Sequence, residues 1–244
     1  MDTRDIRRRV IRDTIEASSH RKLSKLSPFT FSKGLLTMST AGQPEFVSVD
    51  DYLAAEELAT TKSEYIDGWV RAMSGANTRH NIVKGNCFAF LHAQLRGKPC
   101  RPFDSDMRLR IRQEGRVRFY YPDVQVVCES SAPTDVNQDQ PVLIIEVLSR
   151  STRAYDLDEK LNAYLSIPSL EYYVILEQLL PLAIVLRRTR HGNLNVGNLN
   201  EGFLRESYEG LDTIIDLPII ACKLPLREIY EGVEFTPTSV QELE

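Results

Sequence analysis

The sequence predicts an α/β fold, a mixed β-sheet flanked by helices. Three observations carry that expectation. Pro141–Leu148 is almost wholly apolar, as in a strand covered on both faces. β-favouring segments recur at Met107–Arg112, Arg118–Cys128, Pro141–Leu148, Tyr172–Leu176 and Leu182–Arg188. Segments with apolar residues at helical spacing interrupt the series, so helices must cover the sheet.

Taken in order, Val49, Leu53 and Leu58 lie at helical spacing among acidic residues, and Ser48 is a suitable cap, which predicts a short helix over 49–58. Asp67-Gly68 between β-favouring residues predicts a hairpin from Glu64 to Met73. Asn77 to Arg96 places Val83, Cys87, Phe90, Leu91 and Leu95 on one face and ends at Gly97 and Pro99, the main helix. Met107–Arg112, Arg118–Cys128 and Pro141–Leu148 then read as a β-meander. From Ser149 the chain becomes helical through Leu157, Leu161, Tyr164 and Leu165, up to Pro168. Ser149 and Ser151 read as helix caps; no histidine close in sequence could activate them as nucleophiles. Two strands joined around Pro181 follow, and 224–230 closes with a short helix.

The 244 residues suffice for one sizeable core, and the 42% hydrophobic and 26% charged composition is that of a globular chain. No apolar run approaches the roughly 20 residues of a membrane span, and the Arg-rich start lacks the apolar centre of a secretory signal, so the expected location is the cytoplasm. Cys87, Cys100, Cys128 and Cys222 form no CxxC pair; reduced, buried thiols are expected, without a disulfide framework or zinc site. Residues 1–38 hold nine basic and four acidic side chains, leaving 21 basic against 30 acidic in the rest. The expected organisation is a basic, flexible extension over 1–43, translated from a start upstream of Met38, one domain over 44–236 and a tail over 237–244. An acidic body argues against strong non-specific DNA binding.

Chemistry centres on Glu146, a carboxylate inside the most apolar run. Burial of its charge requires a partner or a cation. Asp123 begins another β-rich run, and adjacent pairing of the two strands would bring the carboxylates together. Like charges at that range repel, and a hard divalent cation reverses the sign; Mg²⁺ is expected, with Mn²⁺ a substitute. Lys160, 14 residues after Glu146 and just inside the next helix, could swing an ammonium to the same place. Tyr164 shares its helical face. Metal, oriented water and fixed positive charge are the parts of a phosphodiester hydrolase. His20, His92 and His191 have no metal-ligand spacing, and no phosphate-binding glycine loop occurs.

Tyr121-Pro122-Asp123-Val124, Pro141 through Ser149, Ser151-Thr152, Asp156, Lys160 and Tyr164 resemble the Uma family of restriction-endonuclease-like proteins, also grouped as DUF820, within the PD-(D/E)xK nuclease superfamily. Glu64 through Gly68, Gly75-Ala76, Arg79-His80, Ser105 through Arg108 and Leu224 through Tyr230 support the resemblance, which spans about Phe46 to Val233. It implies a restriction-endonuclease-like core and DNA as substrate, hydrolysed through a metal-activated water. It also implies Asp123, Glu146 and the main-chain carbonyl of Val147 as metal ligands, with Lys160 as the catalytic lysine moved to the helix. The ExK pattern is broken by Leu148, and Arg150 stands where the family has proline. The superfamily's further acidic residue has no candidate in Asn77–Arg96, so Glu64 is assigned that role. His80 either contacts phosphate or a ligand, or caps locally; Asp106 either faces the metal or is a charged strand end. A homodimer cutting two strands is expected, with no membrane partner. The rival reading is a non-catalytic nucleic-acid or protein binding module on a nuclease-like fold.

Overall fold

The computed structural model describes residues 46–73, 75–149, 153–189, 199–200 and 202–235. The expected 1–43 extension, the 237–244 tail, and Arg150, Ser151 and Thr152 lie outside the described residues.

The opening helix is α1 (Val49–Leu58), capped as expected by Ser48, whose hydroxyl accepts from the Asp51 N–H at 3.1 Å. Strands β1 (Ser63–Ile66) and β2 (Trp69–Ala72) form the hairpin. Its turn puts Asp67 and Gly68 at φ 49° and 103°. Glycine suits that positive φ, and a Cβ there would lie 2.1 Å from the ring of the exposed Phe46, which would have to shift. Helix α2 (Thr78–Leu95) starts at Asn77, whose side chain accepts from the His80 N–H at 2.9 Å.

Strands β3 (Arg101–Asp104), β4 (Arg108–Gln113), β5 (Arg116–Tyr120), β6 (Val124–Val127), β7 (Asn137–Gln138) and β8 (Pro141–Leu148) follow. The expected meander is corrected here. Arg118–Cys128 is two strands in different sheets: β5 pairs with β1 and β4, while β6 pairs with β3 and β8. The chain changes sheet at Tyr121-Pro122-Asp123. Pro122 has no N–H to give to a ladder, which suits it to that corner.

The helix after β8 is also corrected, from one to two: α3 (Arg153–Leu157) and α4 (Glu159–Leu165), broken at Asp158 with φ −120° and ψ −75°. Strands β9 (Tyr172–Glu177) and β10 (Leu182–Arg188) are where the sequence places them. Strands β11 (Leu199–Asn200), β12 (Phe203–Glu209), β13 (Ile214–Leu217) and β14 (Cys222–Pro225) precede the closing helix α5 (Leu226–Ile229) and were not expected.

Among the described residues one sheet runs β11-β12-β10-β9-β8-β6-β3, a second β2-β1-β5-β4-β7, and β13-β14 is a ribbon. β8 is central, antiparallel to β6 and parallel to β9, with α3 and α4 in the crossover. One face of β6 and β8, through Val124, Val126, Leu143, Ile145 and Val147, packs on Val83, Cys87, Leu91 and Leu95 of α2. The other, through Ile144 and Leu148, packs on Leu157, Leu161 and Tyr164 and on Leu109, Ile111 and Tyr120 of the second sheet. That double cover is why the strand reads as a continuous apolar run. Burying a side chain such as Leu143 or Ile145 contributes about 1.5–3 kcal/mol.

Cys100 and Cys128 are disulfide-bonded, which corrects the expectation of four reduced thiols; Cys87 and Cys222 remain free and buried. The cause is register: Arg101 pairs with Val127, so the two cysteines flank the end of the β3–β6 ladder. Among the described residues no helix is long and apolar enough to cross a membrane.

Candidate functional site

The β6–β8 register places Val124 opposite Ile145 and Gln125 opposite Ile144, so the next positions outward are Asp123 and Glu146. Each carboxylate accepts from the other strand. The Asp123 N–H donates to Glu146 Oε2 at 3.3 Å, and the Val147 N–H donates to Asp123 Oδ2 at 2.9 Å. Asp123 thereby sits at the corner where the chain changes sheet. Side-chain alternation along β8 sends Glu146 to the Ile144 and Leu148 face, under α3 and α4.

Lys160 in α4 meets it there. Its Nζ lies 3.1 Å from Glu146 Oε1, 3.0 Å from Glu64 Oε1 and 3.4 Å from Asp156 Oδ1. The ammonium is therefore shared by three carboxylates from β1, β8 and α3. Tyr164, one turn further along α4, donates its hydroxyl to Glu146 Oε1 at 2.8 Å. Its ring stands edge-on between Tyr120 and Tyr173. His80, at the start of α2, places Nε2 3.0 Å from Asp123 Oδ2.

Of the residues singled out from sequence, Asp123, Glu146, Lys160, Glu64, His80 and Tyr164 form one contact chain. Asp106 does not join it: its side chain is 80% exposed and pairs with Lys62 at the β3–β4 turn. That turn carries it away from the β6–β8 pair, so it is the charged strand end rather than a group facing the carboxylates. Asp156 was missed as a site residue, although its position four before Lys160 was a readable signal.

Burial opposes charge here, and the groups divide the consequence unequally. Burial pushes the Glu146 carboxyl up to about 8; Lys160 pulls it down, but Asp123 and Asp156 add to the rise. Burial alone would lower Lys160, yet Glu146, Glu64 and Asp156 more than offset it and hold the ammonium well above the ordinary lysine range. One cation serving three anions stays charged, and the proton goes to a carboxylate.

A cleft of about 390 Å³ opens on this cluster, lined by His80, Tyr121, Asp123, Glu146, Val147 and Lys160, and also by Lys62, Lys84 and Ser105. Three carboxylates, Glu64, Glu146 and Asp156, are at least nine-tenths buried and that of Asp123 nearly so, against one ammonium and one imidazole. That excess of hard anionic oxygen fits a hard divalent cation. Among the described residues no three His, Cys, Asp or Glu side chains are disposed around one ion position. A cation here would thus draw on Asp123 and Glu146 and complete its shell from main-chain oxygen and water.

Residues 49–219 match the Uma2 family, whose description is "Putative restriction endonuclease". The uncharacterized protein sll1609 of Synechocystis sp. is 35% identical over 144 residues, covering 58% of this chain and 80% of that protein. A second Synechocystis protein, slr1290, also uncharacterized, is 33% identical over 133 residues, 53% of this chain and 67% of its own. A crystal structure of "a putative nuclease belonging to DUF820" from Anabaena variabilis superposes with a TM-score of 0.59 at 15% identity, over 77% of this chain and 99% of that one. At that identity the likeness establishes a shared fold.

Proposed function

The chain belongs to the Uma2 family, and on that premise we propose that it is a metal-dependent endonuclease hydrolysing phosphodiester bonds in DNA. The observation that carries the reading is the meeting of Asp123, Glu146 and Lys160 at one cleft, from three separate elements. Asp123 and Glu146, with the Val147 main-chain carbonyl, would hold Mg²⁺ or Mn²⁺. Bound there, the cation would polarise a phosphoryl oxygen and make water a stronger nucleophile at neutral pH.

The chain's own groups do the rest. Lys160 keeps its proton and presents a fixed positive charge beside the position where negative charge develops on phosphate. Glu64 and Asp156 hold the ammonium together with Glu146, so its position is set by three anchors rather than by a flexible stem. Tyr164 fixes the Glu146 carboxylate through Oε1 and leaves Oε2 turned toward Asp123. His80 restrains Asp123 through Oδ2.

The test is plasmid cleavage by purified protein with Mg²⁺ or Mn²⁺, beside Glu146→Ala and Lys160→Ala. Cleavage by the wild type and loss in both variants supports the reading. Equal activity in all three sinks it, because the activity would then belong to a contaminant. Calorimetric Mn²⁺ titration gives the prior step: heat that does not depend on Asp123 would favour a non-catalytic binding module.

A further inference from the structure

The cleft is also lined by basic residues that the carboxylate cluster does not use. Lys62 precedes β1 and Lys84 lies in the second turn of α2, 22 positions apart in the chain, yet both reach Ser105. Lys62 Nζ donates to the Ser105 main-chain oxygen at 2.7 Å, and Lys84 Nζ donates to its hydroxyl at 3.1 Å. All three residues line the cleft that holds Asp123, Glu146 and Lys160. Tyr121, on the same cleft, lies under Lys62, its ring centroid 5.4 Å from Nζ.

Two ammoniums drawn to one serine repel each other, and outside residues 1–38 the chain is net acidic. Convergence of this kind in such a body calls for an anion. Lys160 is not a separate anchor for flanking backbone, because it is held within the carboxylate cluster by three ion pairs. Lys84 differs: among the described residues no carboxylate lies within ion-pair distance of it, and its hydrogen bond goes to a neutral hydroxyl. Lys62 does have a counter-ion, Asp106, but that side chain is 80% exposed. An exposed pair of this kind is worth little, so Asp106 can be displaced at small cost.

We propose that Lys62, Lys84 and Ser105 form a phosphodiester-binding subsite that holds the nucleic-acid backbone beside the scissile phosphate, with Asp106 as the counter-ion that phosphate displaces. The proposal rests on the nuclease reading for the identity of its ligand. It assigns to Asp106 a role opposite to metal ligation. The carboxylate competes with substrate for Lys62, so its removal strengthens binding where loss of a ligand would weaken it.

The experiment measures binding of a short labelled DNA duplex by fluorescence anisotropy, with Ca²⁺ replacing Mg²⁺, across a salt series. Lys62→Ala and Lys84→Ala each weaken binding by roughly tenfold, and each lowers the slope of log affinity against log salt by about one. Lys84→Arg restores most of the affinity, Asp106→Asn tightens binding, and the exposed Lys223→Ala changes little. Melting curves establish that each variant is folded; should Lys84→Ala not fold, Lys84→Gln takes its place. Wild-type affinity in both lysine variants, or equal weakening by Lys223→Ala, overturns the subsite. Cleavage that needs Glu146 and Lys160 but not these lysines leaves the nuclease reading standing and the subsite refuted. Lysine-dependent binding by a protein that never cleaves does the reverse. Failure to bind duplex or single strands overturns both.

Discussion

Replacing Glu146 with glutamine removes a charge that the fold buries at a cost, and the size of that cost depends on pH. With its carboxyl raised to about 8 in the folded, metal-free protein, against about 4.5 in an unfolded chain, Glu146 is protonated in the fold at pH values where the unfolded chain has lost that proton. The folded state binds more protons in this window, so the group's contribution to stability is fully present below about 4.5. It is lost as pH rises through about 8. A carboxyl raised this far by burial sets a ceiling on the order of 5 kcal/mol between the two ends. Lys160, held above the ordinary lysine range, does not titrate there. Glutamine keeps an acceptor for Lys160 and Tyr164 and loses the bond from the Asp123 N–H, about 1 kcal/mol. Urea denaturation of both proteins in EDTA from pH 5 to 8.5 measures the difference, in which titrating groups remote from the cluster cancel. Glu146→Gln should be the less stable near pH 5 and the more stable above pH 8. The same proton must leave before a cation can bind, so wild-type Mn²⁺ affinity should rise up to tenfold per pH unit until about 8 and then level. Stability curves that run parallel in pH would refute the reasoning.

Lys160→Met leaves Glu64, Glu146 and Asp156 facing one another without an ammonium and should cost about 3–5 kcal/mol in metal-free denaturation, part of which added Mn²⁺ should return. Tyr164→Phe keeps the packing against Tyr120 and Tyr173 but removes the donor to Glu146 Oε1. A loss of about 1–2 kcal/mol is expected in urea, together with a further rise of the Glu146 carboxyl visible as a later onset of Mn²⁺ binding with pH. Cys128→Ser opens a link between residues 28 apart and should lower stability by up to about 4 kcal/mol, the same loss being produced in the wild type by reductant.

Which parts of this molecule could be read from sequence follows from the range over which each signal acts. The Asp67-Gly68 turn, the Ser48 cap of α1 and the double-faced burial of β8 are set within a few residues of themselves, and each was legible. Sheet membership is not local. Phe119 and Val124 stand five residues apart in nearly uniform β-favouring sequence, yet they pack in different clusters because the chain turns from one sheet to the other at Pro122. The strands over 203–225 were missed for a related reason, since β12 is covered on only part of its length and carries exposed polar residues that dilute its alternation.

The site divides along the same line. Parity along two strands is enough to argue that Asp123 and Glu146 can meet, because register carries the side chains with it. It is not enough to place Asp106, whose strand end could face either way until the β3–β4 turn is known. Asp106 and Asp156 show the difference between residue type and surroundings. Both are aspartates near the expected chemistry; one sits in solvent against Lys62, and the other is buried against Lys160. In water the first carboxylate is cheap to hold and easily exchanged for phosphate. In the buried cluster the second raises the Glu146 carboxyl and helps to keep Lys160 charged. The same functional group thus tunes the buried cluster in one place and, in the proposed subsite, would yield to phosphate in another, and dielectric environment decides which.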